Sequence, residues 1–184
     1  TMDDCGNVQS GFNAMSGSSL GASYAFNDEV SVAIGYAGNG VTATKGLMTS
    51  EGLDAVGVNA SYITDTFGAS VSYSTVETAQ AKFGTYGDSS VAFNGYFSPE
   101  GFPSISAGYE FTDIGGVATT VDEKTSWFLG LQFDEIGPGS GGLAVGTNGS
   151  ITEGSDEALM YEVYYSYPVN DGMTITPLVY AKEK

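Results

Sequence analysis

The sequence predicts an all-β protein built as one antiparallel up-and-down meander. Ten segments alternate apolar with small or polar residues at a period of two, which is the side-chain periodicity of β-strands. The segments come in pairs, and each pair repeats the order of an alternating strand ending near an aromatic residue, a turn, and a second alternating strand. Such a meander must either close on itself or cover its two edges.

The ten predicted strands form five hairpins. Their residues are 20–26 with 30–36, 56–62 with 67–73, 91–97 with 102–109, 127–133 with 143–145, and 161–167 with 173–180. The fourth hairpin has the weakest pattern, because residues 137–142 are glycine-rich and fit either a loop or a bulge. Residues 1–19 show little alternation and are interpreted as a loop or linker. Residues 20–184 are interpreted as the hairpin repeats of a β-barrel, as a portion of a larger barrel.

The connections between the predicted strands alternate in length. Short turns carry Asn, Asp, Gly and Pro, the residues that tight turns require, and longer connections are rich in Gly, Thr, Ser and acidic residues. The short turns are at 27–28, 65–66, 98–101 and 170–172, and the longer connections are at 38–53, 78–89, 114–124 and 149–157. Short turns at one end and long loops at the other are typical of outer-membrane barrels. We therefore expect the meander to form a transmembrane β-barrel or part of one.

The charge balance of the chain is strongly acidic. Its 184 residues include five lysines, no arginine, no histidine and 22 acidic residues, which gives a formal net charge of −17. Nucleic-acid binding is excluded as a function class, because the phosphate contacts that dominate affinity need Lys and Arg. The same balance argues against docking on anionic lipid headgroups.

The sequence lacks the residue types that many catalytic and metal sites need. Without histidine the chain can form neither a His-dependent triad nor a zinc site of the His type. The single cysteine, Cys5, excludes an intrachain disulfide and a cysteine metal cluster. The acidic pairs in the predicted loops do not have the spacing of a calcium-binding loop. We therefore expect no enzymatic activity, no cofactor and no metal site.

The two faces of the predicted strands differ in composition. One face carries Val, Ile, Leu and Ala in mid-strand and Tyr, Phe or Trp near the strand ends. Membrane barrels have the same order, with an apolar band between two girdles of aromatic residues. The other face carries Gly, Ser, Ala and Asn, where a soluble sandwich would place bulky charged residues. The alternative is that the apolar face is the inward-facing core of a soluble sandwich or barrel. No apolar run is long enough for a transmembrane helix.

Polar residues that interrupt the small-residue face are candidates for the wall of a pore. They are Glu110, Glu162, Gln132, Asn59 and Asn94. Carboxylates in a lumen favour cations, as acidic rings do in cation pores. Alternatively, the two glutamates are ordinary solvated positions or pair with a lysine such as Lys182, and the amide side chains are inert.

Residues 21–36 and 161–180 resemble the cyanobacterial outer-membrane porins. That family is related to the carbohydrate-selective porins and is often labelled as iron-uptake porin. The second segment carries an aromatic-rich strand, a polar turn and the phrase Ile-Thr-Pro-Leu-Val-Tyr, which ends at Tyr180 and is similar to the last-strand region of the family. The resemblance implies an outer-membrane location and contact with outer-membrane lipid. Many porins are homotrimers, and the sequence leaves open whether this chain assembles in the same way.

The chain departs from the family pattern at both ends. Family members usually carry an N-terminal surface-layer-homology domain, a coiled-coil linker and a larger barrel, and the sequence shows neither of the first two. Outer-membrane barrels generally end on an aromatic residue, whereas this chain ends Ala-Lys-Glu-Lys. These departures suggest a C-terminal barrel portion of a family member.

The predicted function is therefore that of an outer-membrane porin. It would give passive diffusion of small hydrophilic solutes or inorganic ions, iron among them. The alternative, from another class, is a secreted or cell-surface acidic all-β structural protein whose charge keeps it soluble or binds divalent cations. Dependence on detergent distinguishes the two.

Overall fold

In the computed structural model of the chain, the described residues are 18–39, 53–80, 84–115, 123–147, 151–152 and 156–183. They form one sheet of twelve strands in which every pairing is antiparallel. The strands are β1 (Ser18–Ala25), β2 (Val30–Asn39), β3 (Leu53–Ile63), β4 (Phe67–Gln80), β5 (Gly84–Phe97), β6 (Ser104–Asp113), β7 (Glu123–Ile136), β8 (Gly139–Thr147), β9 (Ile151–Thr152), β10 (Leu159–Asn170), β11 (Met173–Ile175) and β12 (Leu178–Lys182). No helix in this part of the chain is long and apolar enough to cross a membrane.

Neighbours in the chain are neighbours in the sheet. The order runs from β1 to β8 and continues with β10 and β11, while the two-residue β9 pairs with β7 and β12 pairs with β10. Tyr167 pairs with Ile175 and Tyr164 with Leu178, so β11 and β12 follow one register on β10 and act as a single tenth strand. The predicted antiparallel up-and-down meander is therefore confirmed.

The sheet is open at both edges. Among the described strands, β1 pairs with β2 alone, and β11 and β12 pair with β10 alone. The structure thus shows a meander rather than a closed barrel.

Asparagine side chains hold two of the short turns. Asn27 Oδ1 accepts hydrogen bonds from the backbone N–H groups of Glu29 (2.9 Å) and Val30 (2.7 Å). Asn170 Oδ1 accepts one from the N–H of Gly172 at 2.9 Å. These local bonds replace the ladder bonds that the chain gives up where it reverses.

The prediction of a loop at residues 78–89 is wrong. β4 continues to Gln80 and β5 begins at Gly84, and their ladder includes Thr78 opposite Tyr86. The Gly, Thr and Ser content of this stretch favoured a loop. Each residue by which one strand is longer than predicted nevertheless pairs with a residue of the other strand. The backbone hydrogen bonds of this ladder outweigh the weak strand propensity of the sequence.

Several other strand ends also differ from the prediction. β1 begins at Ser18, inside the predicted linker. Residues 1–17 of that linker, Cys5 among them, lie outside the described residues. β6 begins at Ser104, because Phe102 lies in a turn and donates its backbone N–H to the carbonyl of Pro99 at 3.3 Å. Gly101 has φ of +76° in this turn, a conformation that glycine adopts without strain.

The glycine-rich stretch 137–142 contains both a turn and part of a strand. Gly137 has φ of +62° and lies in the turn, while β8 begins at Gly139. The pairing of β7 with β8 shifts register between Phe133 and Ile136, which is a bulge or irregularity of the ladder. In the stretches predicted as the last two long loops, β7 already begins at Glu123 and β9 forms a short pairing with it.

The sheet has no conventional hydrophobic core. Among the described residues the buried apolar side chains are Ala37, Ala55 and Ala92, and no large side chain is fully buried. The described strands form one layer, so no second described layer covers the large apolar side chains of the sheet.

Candidate pore wall and lipid-facing surface

One face of the sheet, called here the small-residue face, carries mostly Gly, Ser, Ala and Asn. The register places these side chains opposite one another across successive strands, for example Asn59 opposite Ser72 and Asn94 opposite Gly108. Members of this face include Gly35, Ala37, Gly57, Asn59, Ser61, Ser70, Ser72, Ser74, Asn94, Ser106, Gly108, Ser126, Gly130, Gly142 and Ala144. Several are almost fully sheltered, such as Ser74 at 2 % exposure and Ala92 at 1 %.

All five candidate pore residues lie on the small-residue face. Three amide side chains lie toward the short turns, and the two glutamates lie further from them along their strands. The amides are Asn59, Asn94 and Gln132, and the glutamates are Glu110 and Glu162.

The opposite face, called here the apolar face, carries the large hydrophobic side chains and exposes them. Val58 in β3 is 44 % exposed, Phe93 in β5 56 %, and Val163 in β10 58 %. A soluble sheet hides this face and leaves the polar one in water. The described chain has the reverse distribution, with its apolar side chains outward and its small polar side chains sheltered.

Aromatic side chains form two rows on the apolar face. Phe67 and Tyr73 lie six residues apart on β4, and Trp127 with Phe133 and Tyr161 with Tyr167 repeat that spacing on β7 and β10. Six residues of a strand span about 20 Å. The rows therefore border an aliphatic band, as the aromatic girdles of a membrane barrel do.

Aromatic residues near the long-loop end donate hydrogen bonds to carboxylates. Trp127 Nε1 donates to Glu157 Oε1 at 2.6 Å, and the Tyr36 hydroxyl donates to Asp54. Each ring thus has an apolar body on the sheet and a polar tip beyond it. This arrangement suits a membrane–water interface, where one end of the side chain is apolar and the other is wet.

Hydroxyl and amide groups on the small-residue face bond to one another across strands. Ser31 and Ser61 join at 2.7 Å, and Asn59 Nδ2 donates to Ser72 Oγ at 2.7 Å. These hydroxyl and amide groups therefore find partners inside the sheet, whereas the buried Oδ1 of Asp88 on the same face accepts no hydrogen bond. The face stays polar without carrying a high density of charge.

Aromatic rings cover glycines at three positions on the small-residue face. Each ring belongs to the residue directly opposite the glycine on the next strand, and a Cβ there would be within 3 Å of the ring. The pairs are Tyr96 over Gly68, Phe128 over Gly108 and Tyr164 over Gly142. Sequence alternation placed Tyr96 on this face, but which residue it covers depends on the register. The sequence signal for such a pair is a glycine on one strand and an aromatic residue at the same face position of the next strand.

The two glutamates of the small-residue face have different surroundings. The Glu110 carboxylate lies within hydrogen-bonding reach of the Ser90 and Thr112 hydroxyls and close to the ammonium group of Lys124. Ser90 and Thr112 also bond to each other at 2.8 Å. Glu162 lies opposite Ala144 on one side and Tyr180 on the other.

The register separates these glutamates. Glu110 is on β6 and Glu162 on β10, with β7 and β8 between them. Three strand spacings amount to about 14 Å. The sheet therefore does not bring the two carboxylates together as an acid–base pair, and the described residues contain no group of three or more Asp, Glu, His or Cys side chains that could hold a metal ion.

Comparison with known proteins adds no identification to this geometry. No protein-family model matches the chain, and no curated protein is significantly similar to it. The resemblance of residues 21–36 and 161–180 to porins therefore stays a prediction from the sequence.

Proposed function

We propose that the chain forms the wall of a transmembrane β-barrel and acts as an outer-membrane porin. It gives passive diffusion of small hydrophilic solutes or inorganic ions, iron among them, across a cyanobacterial outer membrane. The observation that carries this proposal is the distribution of side chains on the sheet. Large apolar side chains are exposed along one face, and small polar ones are sheltered on the other.

Lipid is the surrounding that fits the apolar face. Strands can cross a bilayer when their backbone groups are paired within the sheet, and β2 to β8 have a partner on both sides. Their outward side chains are Val, Ile, Leu and Ala between rows of aromatic residues, which matches the exterior of membrane barrels. Partners are thus outer-membrane lipid and, by analogy with many porins, two further copies in a homotrimer.

Water is the surrounding that fits the small-residue face. Most side chains of this face are small, and hydrogen bonds between its Ser and Asn side chains keep the wall polar. Asn59, Asn94, Gln132, Glu110 and Glu162 are the proposed pore-lining residues. Transport then needs no cofactor, metal or catalytic group from this chain.

Conductance measurements test the proposal directly. Purified chain refolded in detergent should add discrete conductance steps to a planar bilayer, and it should precipitate when detergent is removed without lipid. A chain that stays monodisperse in plain buffer and leaves the bilayer silent contradicts the proposal. That result favours a secreted or cell-surface structural protein instead.

Neighbouring lysine substitutions in β4 test which face meets lipid. Val71 is on the apolar face and 41 % exposed, whereas Ser70 next to it points to the small-residue face. Val71→Lys should reduce the stability of the lipid-inserted protein by about 2–4 kcal/mol, because lysine is costly near the bilayer midplane. Ser70→Lys is the matched control and should insert with a much smaller loss, measured by urea unfolding in liposomes. Equal losses for both variants would contradict the assignment of the faces.

A further inference from the structure

The two edge strands of the sheet show the features of strands that have a missing neighbour. Leu20 on β1 is 76 % exposed and Val179 on β12 is 71 % exposed, against 41 % for Val71 in the middle of the sheet. Natural edge strands are usually protected by lysine, proline or a bulge. β1 has the sequence Ser-Ser-Leu-Gly-Ala-Ser-Tyr-Ala, and β11 is Met-Thr-Ile, so neither contains a charged residue or a proline. β12 carries one lysine, Lys182, at its last position, and its preceding four residues are uncharged.

The one proline of the last-strand region leaves the outer edge intact. The carbonyl of Pro177 accepts a hydrogen bond from the N–H of Tyr165 at 3.1 Å, so Pro177 faces β10 with its backbone groups. In an antiparallel strand the N–H and C=O of one residue point to the same side. The donor that proline lacks is therefore missing on the β10 side, and the free edge keeps its donors.

We propose that these two edges pair with each other, so that the described strands close into a ten-stranded antiparallel barrel. β1 is the first strand of the meander, and β11 with β12 is the tenth. Alternate strands of a meander run in opposite directions, so the first and the tenth are antiparallel. The proposal goes beyond a membrane pore in general, because it names the strands that meet and holds whether or not the lumen conducts.

The stagger of the hairpins supports closure. A line of directly paired residues starts at Ala25, the last residue of β1 before its turn, and crosses all ladders to Lys182 in β12. The turn end of that last strand is Met173, nine residues from Lys182. The turns thus drift along the strands from one edge of the sheet to the other.

A barrel needs this drift, because closed strands tilt and their register must shift by a fixed shear. The shear must be even to keep the apolar side chains on one face. The observed stagger of nine residues lies between the even values eight and ten, and ten gives the tilt of a barrel. A shift of ten residues is about 33 Å, and ten strands span about 48 Å, which corresponds to a tilt of about 35°. Tilts of 35–45° are usual in transmembrane barrels, whereas a shear of eight falls below that range.

This shear defines which residues meet at the closure. Ala22 lies opposite Ile175 on the apolar face, and Ser23 lies opposite Thr174 on the small-residue face. Both pairings keep like side chains on the same side. The apolar band and the polar wall are then continuous around the barrel.

Paired cysteines test the closure in the full chain with Cys5→Ser as background. Ala22→Cys with Ile175→Cys should form an intrachain disulfide on mild oxidation after refolding in detergent, because directly paired residues are within disulfide range. A gel shift of the monomer band that reductant reverses is the readout. Ala22→Cys with Ile34→Cys joins a pair that the structure already shows and verifies that the sheet has formed.

Matched cysteine variants test the register between β1 and β11 and show whether the pairing occurs within one chain. Ala22→Cys with Thr174→Cys places the thiols on opposite faces, and it should remain reduced. The closure is overturned if the β1–β2 control forms its disulfide while the Ala22/Ile175 pair stays reduced or yields covalent dimers. A closed barrel that carries no current would instead contradict the proposed transport and leave the closure standing.

Discussion

At the scale of single residues, the glycines under aromatic rings are positions where one added methyl group has no room. A Cβ at Gly68 would lie 2.8 Å from Cδ1 of Tyr96. The ring cannot simply swing away, since the Tyr96 hydroxyl donates to the carbonyl of Thr64 at 2.7 Å. We expect Gly68→Ala to lower the free energy of unfolding by about 1–3 kcal/mol, as overpacking usually does.

The control for this substitution is also a glycine of the small-residue face. At Gly21 a Cβ would lie 3.4 Å from the carbonyl oxygen of Ile34, so Gly21→Ala should have little effect in the same urea titration. Adding Tyr96→Ala to Gly68→Ala should recover part of the loss, and the double-mutant cycle measures the coupling. Purely additive effects would show that the ring does not depend on the glycine.

At the scale of strands, β4 should not tolerate a proline, because it lies between β3 and β5 in the sheet. Val76 pairs with Ala55 on β3 and with Asp88 on β5, so its N–H lies between two ladders whichever way it points. Val76→Pro should cost about 1–3 kcal/mol for the partner left unsatisfied, with further loss from steric conflict. Glu100→Pro is the control, because Glu100 is the second residue of the turn from Pro99 to Phe102, a position where proline is favoured. The third residue of this turn is Gly101, which has the positive φ that such a turn requires. Thermal unfolding followed by circular dichroism compares the two variants, and equal melting temperatures would contradict the pairing of Val76 with both neighbouring strands.

Strands also show what the sequence could and could not predict. Alternation placed Asn59, Asn94 and Glu110 on one face correctly, because a period of two is a property of the extended backbone itself. Strand ends were less accurate, since β4 and β5 extend as far as their partners do and composition carries no information about the partner. The cover of Gly68 by Tyr96 depends on register in the same way. Whether the edges close could not be read from the pattern at all, because it depends on the summed stagger of nine ladders.

At the scale of the whole molecule, charge predicts how a pore built from this chain would select ions. The net charge is −17 and the sequence has no arginine, so the wall offers few fixed cations to attract anions. Glu110 lies close to Lys124, which offsets part of its field, whereas Glu162 has small or aromatic neighbours opposite it. We expect a weak preference for cations to which Glu162 contributes more than Glu110.

Reversal potentials under a salt gradient measure this preference. The cation-to-anion permeability ratio should fall as salt rises, because screening limits the field of each carboxylate to about 8 Å at physiological ionic strength. Glu162→Gln should lower the ratio more than Glu110→Gln, and the double variant should lower it furthest. Gln132→Asn is the control on the same face, since it changes size but not charge. An anion-selective pore, or a ratio unchanged in the double variant, would show that these glutamates do not set the potential of the lumen.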